Sequence, residues 1–160
     1  MIRKITKREL PACLEVFHKG YETVAVEFGL TEDNCPDRGR ASLPLEKLVR
    51  EFEDCSQMFG CFAGEALVGF MSMRVQPDGV SKLNDIIVLP EHRGKGYGGE
   101  LLDFCKKTAK ESGSEKLQLG MIDDNKRLKN WYIKNGFVNT GHHKFEKAPF
   151  TVGFMEFILK

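Results

Sequence analysis

The glycine-rich turn within Val88–Gly99 constrains the fold of this chain more than any other segment. An apolar run ends at Leu89-Pro90, and a turn that contains Arg93, Lys95 and several glycines leads into a helical pattern. Glycines let backbone N–H groups converge without Cβ atoms in the way, and a helix N-terminus adds partial positive charge. The combination of strand, basic turn and helix predicts a site for phosphate oxygens, in preference to a turn with two merely solvated cations.

Hydrophobic periodicity predicts secondary structure on both sides of this turn. Apolar residues recur at three- and four-residue steps in 7–28, which predicts an amphipathic helix, and 29–42 is predicted to be a long loop. The other predicted elements are strands at 2–5, 58–63, 66–73, 82–89, 117–121 and 150–159, and helices from Pro44, at 96–112 and at 125–135. The last strand is nearly all apolar, as expected of a strand buried on both faces. This order predicts one mixed α/β (α+β) domain over residues 1–160.

The composition excludes several classes of protein. With 24 Lys and Arg against 23 Asp and Glu, the net charge of +1 argues against a nucleic-acid binder that neutralises phosphates. No apolar run approaches the roughly 20 residues of a membrane span, and the N-terminus lacks the apolar segment of a secretory signal. The five cysteines form no Cys-x-x-Cys motif and, with four scattered histidines, no zinc ligand set. We therefore expect reduced cysteines, no metal, no membrane and a cytoplasmic location, with Cys105 in the core and His92 and His142-His143 at the surface.

Two phosphate-binding motifs overlap in the turn. Gly94, Gly96 and Gly99 match the Gly-x-Gly-x-x-Gly pattern of dinucleotide-binding domains. That pattern requires a following parallel strand that ends in an acidic residue, whereas Glu115 precedes the next strand here, and only 61 residues follow Gly99. This context disfavours a nucleotide-dependent oxidoreductase.

The second motif is Arg-x-x-Gly-x-Gly, formed by Arg93, Gly96 and Gly98. It resembles the pyrophosphate loop of the GNAT superfamily of acetyl-coenzyme A-dependent N-acetyltransferases. The preceding Ile86–Pro90 looks like the fourth strand of that family, and Asn125–Phe137 resembles its later signature. These blocks stand in the order and spacing that the family shows.

The resemblance covers about residues 82–137 and implies a fold, a reaction and a binding site. The fold is a central, mostly antiparallel sheet of six to seven strands with about four flanking helices, splayed between the fourth and fifth strands. The reaction is direct transfer of the acetyl group of acetyl-CoA, as co-substrate, to a primary amine. The residues implied in cofactor binding, by strand backbone, loop N–H groups and one side-chain amide, are Ile86, Ile87, Val88, Arg93, Gly94, Lys95, Gly96, Tyr97, Gly98, Gly99 and Asn125.

Three of the side chains carry two interpretations each. The Arg93 side chain either contacts the ligand or holds the loop itself. In the family role Asn125 would hydrogen-bond the pantetheine arm, but an Asn at this position also caps a helix. Tyr132 would donate a proton to the departing thiolate as general acid, but with Leu128 and Trp131 it also falls on an apolar helical face.

The resemblance does not identify the general base. An amine of pKa ~10.4 must lose a proton before it attacks, at a cost of roughly 4–5 kcal/mol at pH 7. The two positions where family members carry a glutamate hold Lys82 and Gly120 in this chain. Asp85 is the nearest remaining carboxylate and the second candidate catalytic residue. Glu22 and Glu27 on the first helix, or a water relay, are the alternatives.

The sequence does not identify the acceptor, and a small amine, an antibiotic, an amino-acid derivative and a protein N-terminus all stay open. We expect the acceptor to contact the first two helices, the 29–42 loop and the segment after Phe137. A function of a different class, a coenzyme A-binding regulatory module without turnover, is supported by the missing glutamates. The apolar final strand is also suited to contacts in a homodimer.

Overall fold

The structure, a computed structural model, describes residues 1–54 and 56–160, and within them seven strands form one sheet. The strands are β1 Ile2–Lys4, β2 Gln57–Ala63, β3 Ala66–Val75, β4 Val80–Val88, β5 Lys116–Ile122, β6 Val138–Lys144 and β7 Thr151–Ile158. They lie in the order β1-β2-β3-β4-β5-β7-β6, in which β4 and β5 are parallel and the other neighbouring pairs are antiparallel. Cys55, one of the cysteines expected to be reduced, lies outside the described residues.

Helices cover both faces of this sheet. They are α1 Leu10–Glu27, α2 Leu45–Glu53, α3 Tyr97–Glu111 and α4 Lys126–Lys134, with short 3-10 turns at Lys7–Glu9, Pro36–Arg38 and Pro90–His92. Ile87 packs with Phe17 in a core under α1 and α2, whereas its neighbour Ile86 packs against a second core that contains Leu101 and Tyr132. Because adjacent strand residues point to opposite faces, the two pairs of helices lie on opposite sides of the sheet.

β4 and β5 separate soon after they begin to pair. Their parallel pairing joins Val80–Lys82 to Lys116–Gln118, and beyond it the two strands diverge. A β-bulge leaves Asn84 without a partner in β3. This extra residue changes the alternation of side chains, so that Leu83 packs in the α3 core while Asp85 points toward α1. The bulge therefore decides which side of the sheet receives the carboxylate.

The fold predicted from the sequence is confirmed in its class, its sheet, its four helices and the splay between the fourth and fifth strands. The pattern does not predict β6, because that strand is mostly polar and exposed along its length. The expectation that the last strand is buried on both faces is wrong. Met155 of β7 is buried in the α3 core, but Ile158 on the other face is 47% exposed, because α1 packs over β3 and β4 rather than over this end of the sheet.

Candidate functional site

A cavity of about 370 Å³ lies where β4 and β5 diverge. Tyr21 and Arg40 line its α1 side, and Asn125 and Tyr132 line its α4 side. Ile86 of β4 also contributes to the lining. Because the sheet is split at this point, the cavity connects the two layers of helices.

The glycine loop, Arg93–Gly99, connects the end of β4 to α3. Within the described residues, the backbone N–H groups of positions 94 to 99 have no hydrogen-bond acceptor. Gly94 and Gly96 have φ values of 77° and 93°, in the left-handed region that favours glycine. A Cβ atom at either position would meet nothing within 4 Å, so open space lies beside the loop. Six consecutive unpaired N–H groups at a helix N-terminus form a site suited to an anion such as a diphosphate.

The Arg93 side chain is committed to the protein. Its Nε donates to the Val88 carbonyl oxygen, its Nη1 to Thr23 Oγ1 and its Nη2 to the Gly20 carbonyl oxygen, each at 3.0 Å. These contacts tie the glycine loop to the end of β4 and to α1. Of the two interpretations of this side chain, they favour the one in which it holds the loop. The side chain of Lys95 is exposed.

Tyr132 and Asn125 combine structural contacts with a position on the cavity. Tyr132 is 4% exposed, and its ring centroid lies 5.3 Å from that of Phe137. Its hydroxyl forms no hydrogen bond within the part of the chain that is described, and burial raises the pKa of Tyr132, so the phenol stays protonated at neutral pH. Asn125 Oδ1 accepts from the Leu128 N–H at 3.2 Å, which caps α4, and the residue still lines the cavity. In both cases the structural interpretation holds and a polar group remains at the cavity.

Asp85 is 2% exposed and lies at the centre of a polar network. The Tyr21 hydroxyl donates to its Oδ1 at 2.6 Å, and the Ser72 hydroxyl donates to its Oδ2 at 2.7 Å. Arg40 pairs with both oxygens, with Nε 2.8 Å from Oδ1 and Nη2 3.1 Å from Oδ2. A base role for Asp85 stays a prediction, and these four contacts favour a role in anchoring Tyr21 and Arg40.

Arg40 is held from three sides. Besides Asp85, its guanidinium donates to both carboxylate oxygens of Glu51, at 3.1 and 2.8 Å, and lies 5.0 Å from the centroid of the Phe17 ring. Burial lowers the pKa of Arg40, but the two carboxylates raise it by more, so the group stays charged. Its φ of 82° is strained for a residue other than glycine, which costs about 1–3 kcal/mol and persists where surrounding contacts enforce it.

The sequence model of the acetyltransferase (GNAT) family matches residues 24–137, which include the glycine loop and Tyr132. The chain belongs to this family. It is 28% identical over 119 residues to the uncharacterized N-acetyltransferase YobR of Bacillus subtilis (strain 168), a match that covers 74% of this chain and 47% of that protein. The chain spans about half the length of the curated relatives it matches.

Solved structures of this family share the fold. The PaiA N-acetyltransferase of Thermoplasma acidophilum, solved in complex with coenzyme A, superposes with a TM-score of 0.77 at 22% identity, over 99% of this chain and 98% of that chain. The ribosomal-protein-S18-alanine N-acetyltransferase of Escherichia coli gives a TM-score of 0.79 at 15% identity, over 100% of this chain and 94% of that chain. At these identities the likeness establishes the fold.

The two glutamates considered as alternative bases of this GNAT protein are already paired. Glu22 accepts from Arg38 Nη1 at 2.7 Å, and Glu27 accepts from Arg127 Nη2 at 3.0 Å. A base role for either glutamate stays a prediction.

Other residues singled out by the sequence fall mostly where expected. Cys105 is fully buried, and His142 and His143 are exposed. His92 was expected at the surface but is half-buried, and its Nδ1 atom is enclosed without a partner among the described residues. In residues 1–54 and 56–160, no group of three or more His, Cys, Asp or Glu side chains is placed to hold a metal ion. No helix in these ranges is long and apolar enough to cross a membrane.

Sequence reasoning missed the roles of Tyr21 and Arg40. In the sequence, Tyr21 lies on the predicted apolar face of the first helix, and Arg40 is one of several charged residues in the 29–42 loop. Their shared partner Asp85 is 64 and 45 positions away along the chain. The one available signal was a tyrosine within an apolar helical stripe, because a buried tyrosine hydroxyl needs a polar partner.

Proposed function

We propose that this GNAT protein is an N-acetyltransferase that transfers the acetyl group of acetyl-CoA directly to a primary amine. The observation that carries the proposal is that the glycine loop directly follows the open end of β4, beside which the cavity lies. The unpaired N–H groups of the glycine loop follow the end of β4, which has no partner on its β5 side, and Tyr132 lines the cavity beside β4. Coenzyme A is a long carrier with a pyrophosphate, an extended arm and a thiol. An anion site suits the pyrophosphate, an open strand edge suits the arm, and a proton donor suits the thiolate that leaves when the thioester is cleaved.

The residues present fit coenzyme A. The six N–H groups of the glycine loop and the N-terminus of α3 suit a pyrophosphate, to which Lys95 adds charge. β4 has no partner on its β5 side beyond Lys82, so the edge of Ile86–Val88 is open to an extended pantetheine arm, apart from the Val88 carbonyl oxygen that accepts from Arg93. The amide of Asn125 borders the same space and offers a further hydrogen bond.

The side chains and backbone also fit the chemistry. Acetyl-CoA supplies an acetyl group activated as a thioester, and the lone pair of the amine forms the new bond to the carbonyl carbon as the bond to sulfur breaks. An N–H of β4 is suited to polarise the carbonyl oxygen. The Tyr132 hydroxyl, which is protonated at neutral pH and has no acceptor among the described residues, is suited to donate its proton to the departing sulfur and then regains one from water. The proton of the amine leaves through water at the open side of the cavity.

Direct attack agrees with the state of the cysteines. Burial raises the pKa of Cys13 and of Cys105 to about 12, so both remain thiols at neutral pH and neither is an activated nucleophile. The alternative of a regulatory module without turnover depends on the two missing glutamates, and no contact in the cavity adds support to it.

We also propose a cytoplasmic location, because Cys13, Cys35, Cys61 and Cys105 are buried free thiols. A homodimer stays a prediction. β7 lies inside the sheet between β5 and β6, so it would offer a partner one face rather than a strand edge.

The test is amine-dependent release of coenzyme A from acetyl-CoA, followed with a thiol reagent over a broad panel of primary amines. We expect release with at least one amine, together with the acetylated amine in the mass spectrum. Binding of acetyl-CoA without turnover of any amine would contradict the proposal and favour the regulatory module. Absence of binding would contradict both.

A further inference from the structure

Two tyrosine side chains line the cavity, and their hydroxyls differ in hydrogen bonding. The Tyr132 hydroxyl has no acceptor among the described residues, so its proton is available. The Tyr21 hydroxyl donates to Asp85 Oδ1 at 2.6 Å. An ionised carboxylate can only accept, so the proton of Tyr21 is committed and its oxygen is left as an acceptor. Of the two tyrosines that line the cavity, the one on the α4 side therefore has a free donor and the one on the α1 side has a free acceptor.

Both tyrosines line the same cavity, where β4 and β5 diverge. Burial and the charge of Asp85 raise the pKa of Tyr21, and a smaller contribution comes from Tyr132. Asp85 in turn contributes to the raised pKa of Tyr132. An amine that enters the cavity to attack the thioester is therefore placed in a space that both side chains border.

The charges behind Tyr21 favour a cation. Asp85 and Glu51 both pair with the single guanidinium of Arg40, which leaves one net negative charge in this group. The pairs hold Asp85 in place, and Ser72 adds a further donor at 2.7 Å. An amine nitrogen beside Tyr21 would lie next to this net negative charge as its own positive charge develops.

Beyond the two tyrosines and Arg40, the lining of the cavity is apolar except for Asn84 and Asn125. The lining residues around Tyr21 and Arg40 are Val24, Leu30, Ile122, Phe150 and Val152. Three carboxylates on the bordering segments are already paired, Glu22 with Arg38, Glu27 with Arg127 and Asp123 with Lys129, whereas Asp124, beside Asn125, is exposed to solvent. A second positive charge held inside the cavity would lie on apolar side chains of the lining, which is costly.

We propose that the acceptor is an amine attached to an apolar body rather than a polyamine, and that the oxygen of Tyr21 accepts a hydrogen bond from its nitrogen while Phe150 and its neighbours contact the body. This inference rests on the proposed N-acetyltransferase function. It assigns Tyr21 to acceptor binding and Asp85 to the positioning of Tyr21.

Phenethylamine and spermidine are the probes that test the proposal. Steady-state acetylation of the parent should give a kcat/KM for phenethylamine at least about tenfold above that for spermidine. Tyr21→Phe should raise the KM for phenethylamine about tenfold and change kcat less, because one hydrogen bond to a charged nitrogen is lost. Circular dichroism and the unfolding midpoint of this variant separate loss of contact from loss of fold.

A matched pair of variants tests the apolar contact with less risk to the fold. Phe150 lines the cavity, whereas Phe145 lies five positions earlier, is 47% exposed and is absent from the lining. Phe150→Ala should lower the kcat/KM for phenethylamine about tenfold, and Phe145→Ala should leave it unchanged.

The outcomes separate this inference from the proposed function. Equal or better turnover of spermidine, or an unchanged KM in Tyr21→Phe, overturns the inference and leaves the acetyltransferase proposal in place. Binding of acetyl-CoA with no acetylation of phenethylamine also overturns it. Failure to bind acetyl-CoA instead overturns the proposed function.

Discussion

The two sides of the cavity are built in different ways. On the α4 side, the end of β4, the glycine loop and the start of α4 come from two short stretches, 86–99 and 125–132, and their main features are glycines, a helix start and unpaired backbone groups. On the α1 side, Tyr21, Arg40, Ser72 and Asp85 come from four separate segments and meet through side-chain contacts. Backbone sites of the first kind are specified locally. Networks of the second kind are specified by tertiary packing.

The largest expected effect is on the α4 side. Tyr132→Phe removes the hydroxyl that we propose as general acid and keeps the ring that packs beside Phe137. We expect kcat to fall about 100-fold, with little change in the KM for acetyl-CoA. Steady-state kinetics of both substrates measure this. If kcat falls less than in Tyr21→Phe, the assignment of the donor to the α4 side is wrong.

The α1 network is expected to matter most for stability. Asp85→Asn removes one of the two carboxylates that pair with the half-buried guanidinium of Arg40, which should lower the free energy of unfolding by about 2 kcal/mol in urea titrations. Asp54→Asn is the control. Asp54 pairs with Arg74 at 3.4 Å, but its side chain is 80% exposed, and no measurable change is expected there. Equal effects of the two variants would show that the α1 network does not stabilise the fold.

Arg93 connects the glycine loop to α1. Its variants test whether acetyl-CoA binding depends on the positive charge of this side chain or on the hydrogen-bond geometry of its guanidinium. The guanidinium donates to three protein acceptors in three directions, which an ammonium cannot reproduce. Arg93→Lys and Arg93→Ala should therefore weaken acetyl-CoA binding by similar factors, about tenfold, through loss of order in the glycine loop. Calorimetry at two salt concentrations measures both. Normal affinity in Arg93→Lys would show that the positive charge acts on the ligand.

The smallest effect is on the pH dependence of stability. The pKa values of Tyr21 and Tyr132 lie above the ordinary tyrosine value near 10. Above pH ~10 the unfolded chain releases protons that the folded chain still holds, so this stabilisation is complete below pH ~10 and declines as the pH rises further, by about 1.4 kcal/mol per pH unit for each tyrosine. Urea midpoints from pH 9 to 11 should fall less steeply in Tyr132→Phe than in the parent. Parallel slopes would contradict the raised pKa of Tyr132.

The same contrast explains which parts of the candidate site could be predicted from the sequence. The glycine loop, Asn125 and Tyr132 could be proposed from the sequence because their motifs are local and because strand, turn and helix agree around them. The sequence could not predict which face of the sheet Asp85 occupies, because the bulge at Asn84 reverses the regular alternation of side chains along β4. The left-handed backbone of Arg40 was equally hidden, because only its packing against three partners enforces it.

Calorimetry of acetyl-CoA binding tests the central claim most directly, on the parent and on two glutamate variants at opposite ends of α3. Gly96 and Gly113 have φ values of 93° and 85°, and a Cβ at either would meet nothing within 4 Å, so the two substitutions impose similar backbone strain. Gly96→Glu adds a carboxylate to the glycine loop and should abolish binding, whereas Gly113→Glu should bind like the parent. Binding that survives Gly96→Glu, or a folded parent that binds no acetyl-CoA, would contradict the assignment of the loop.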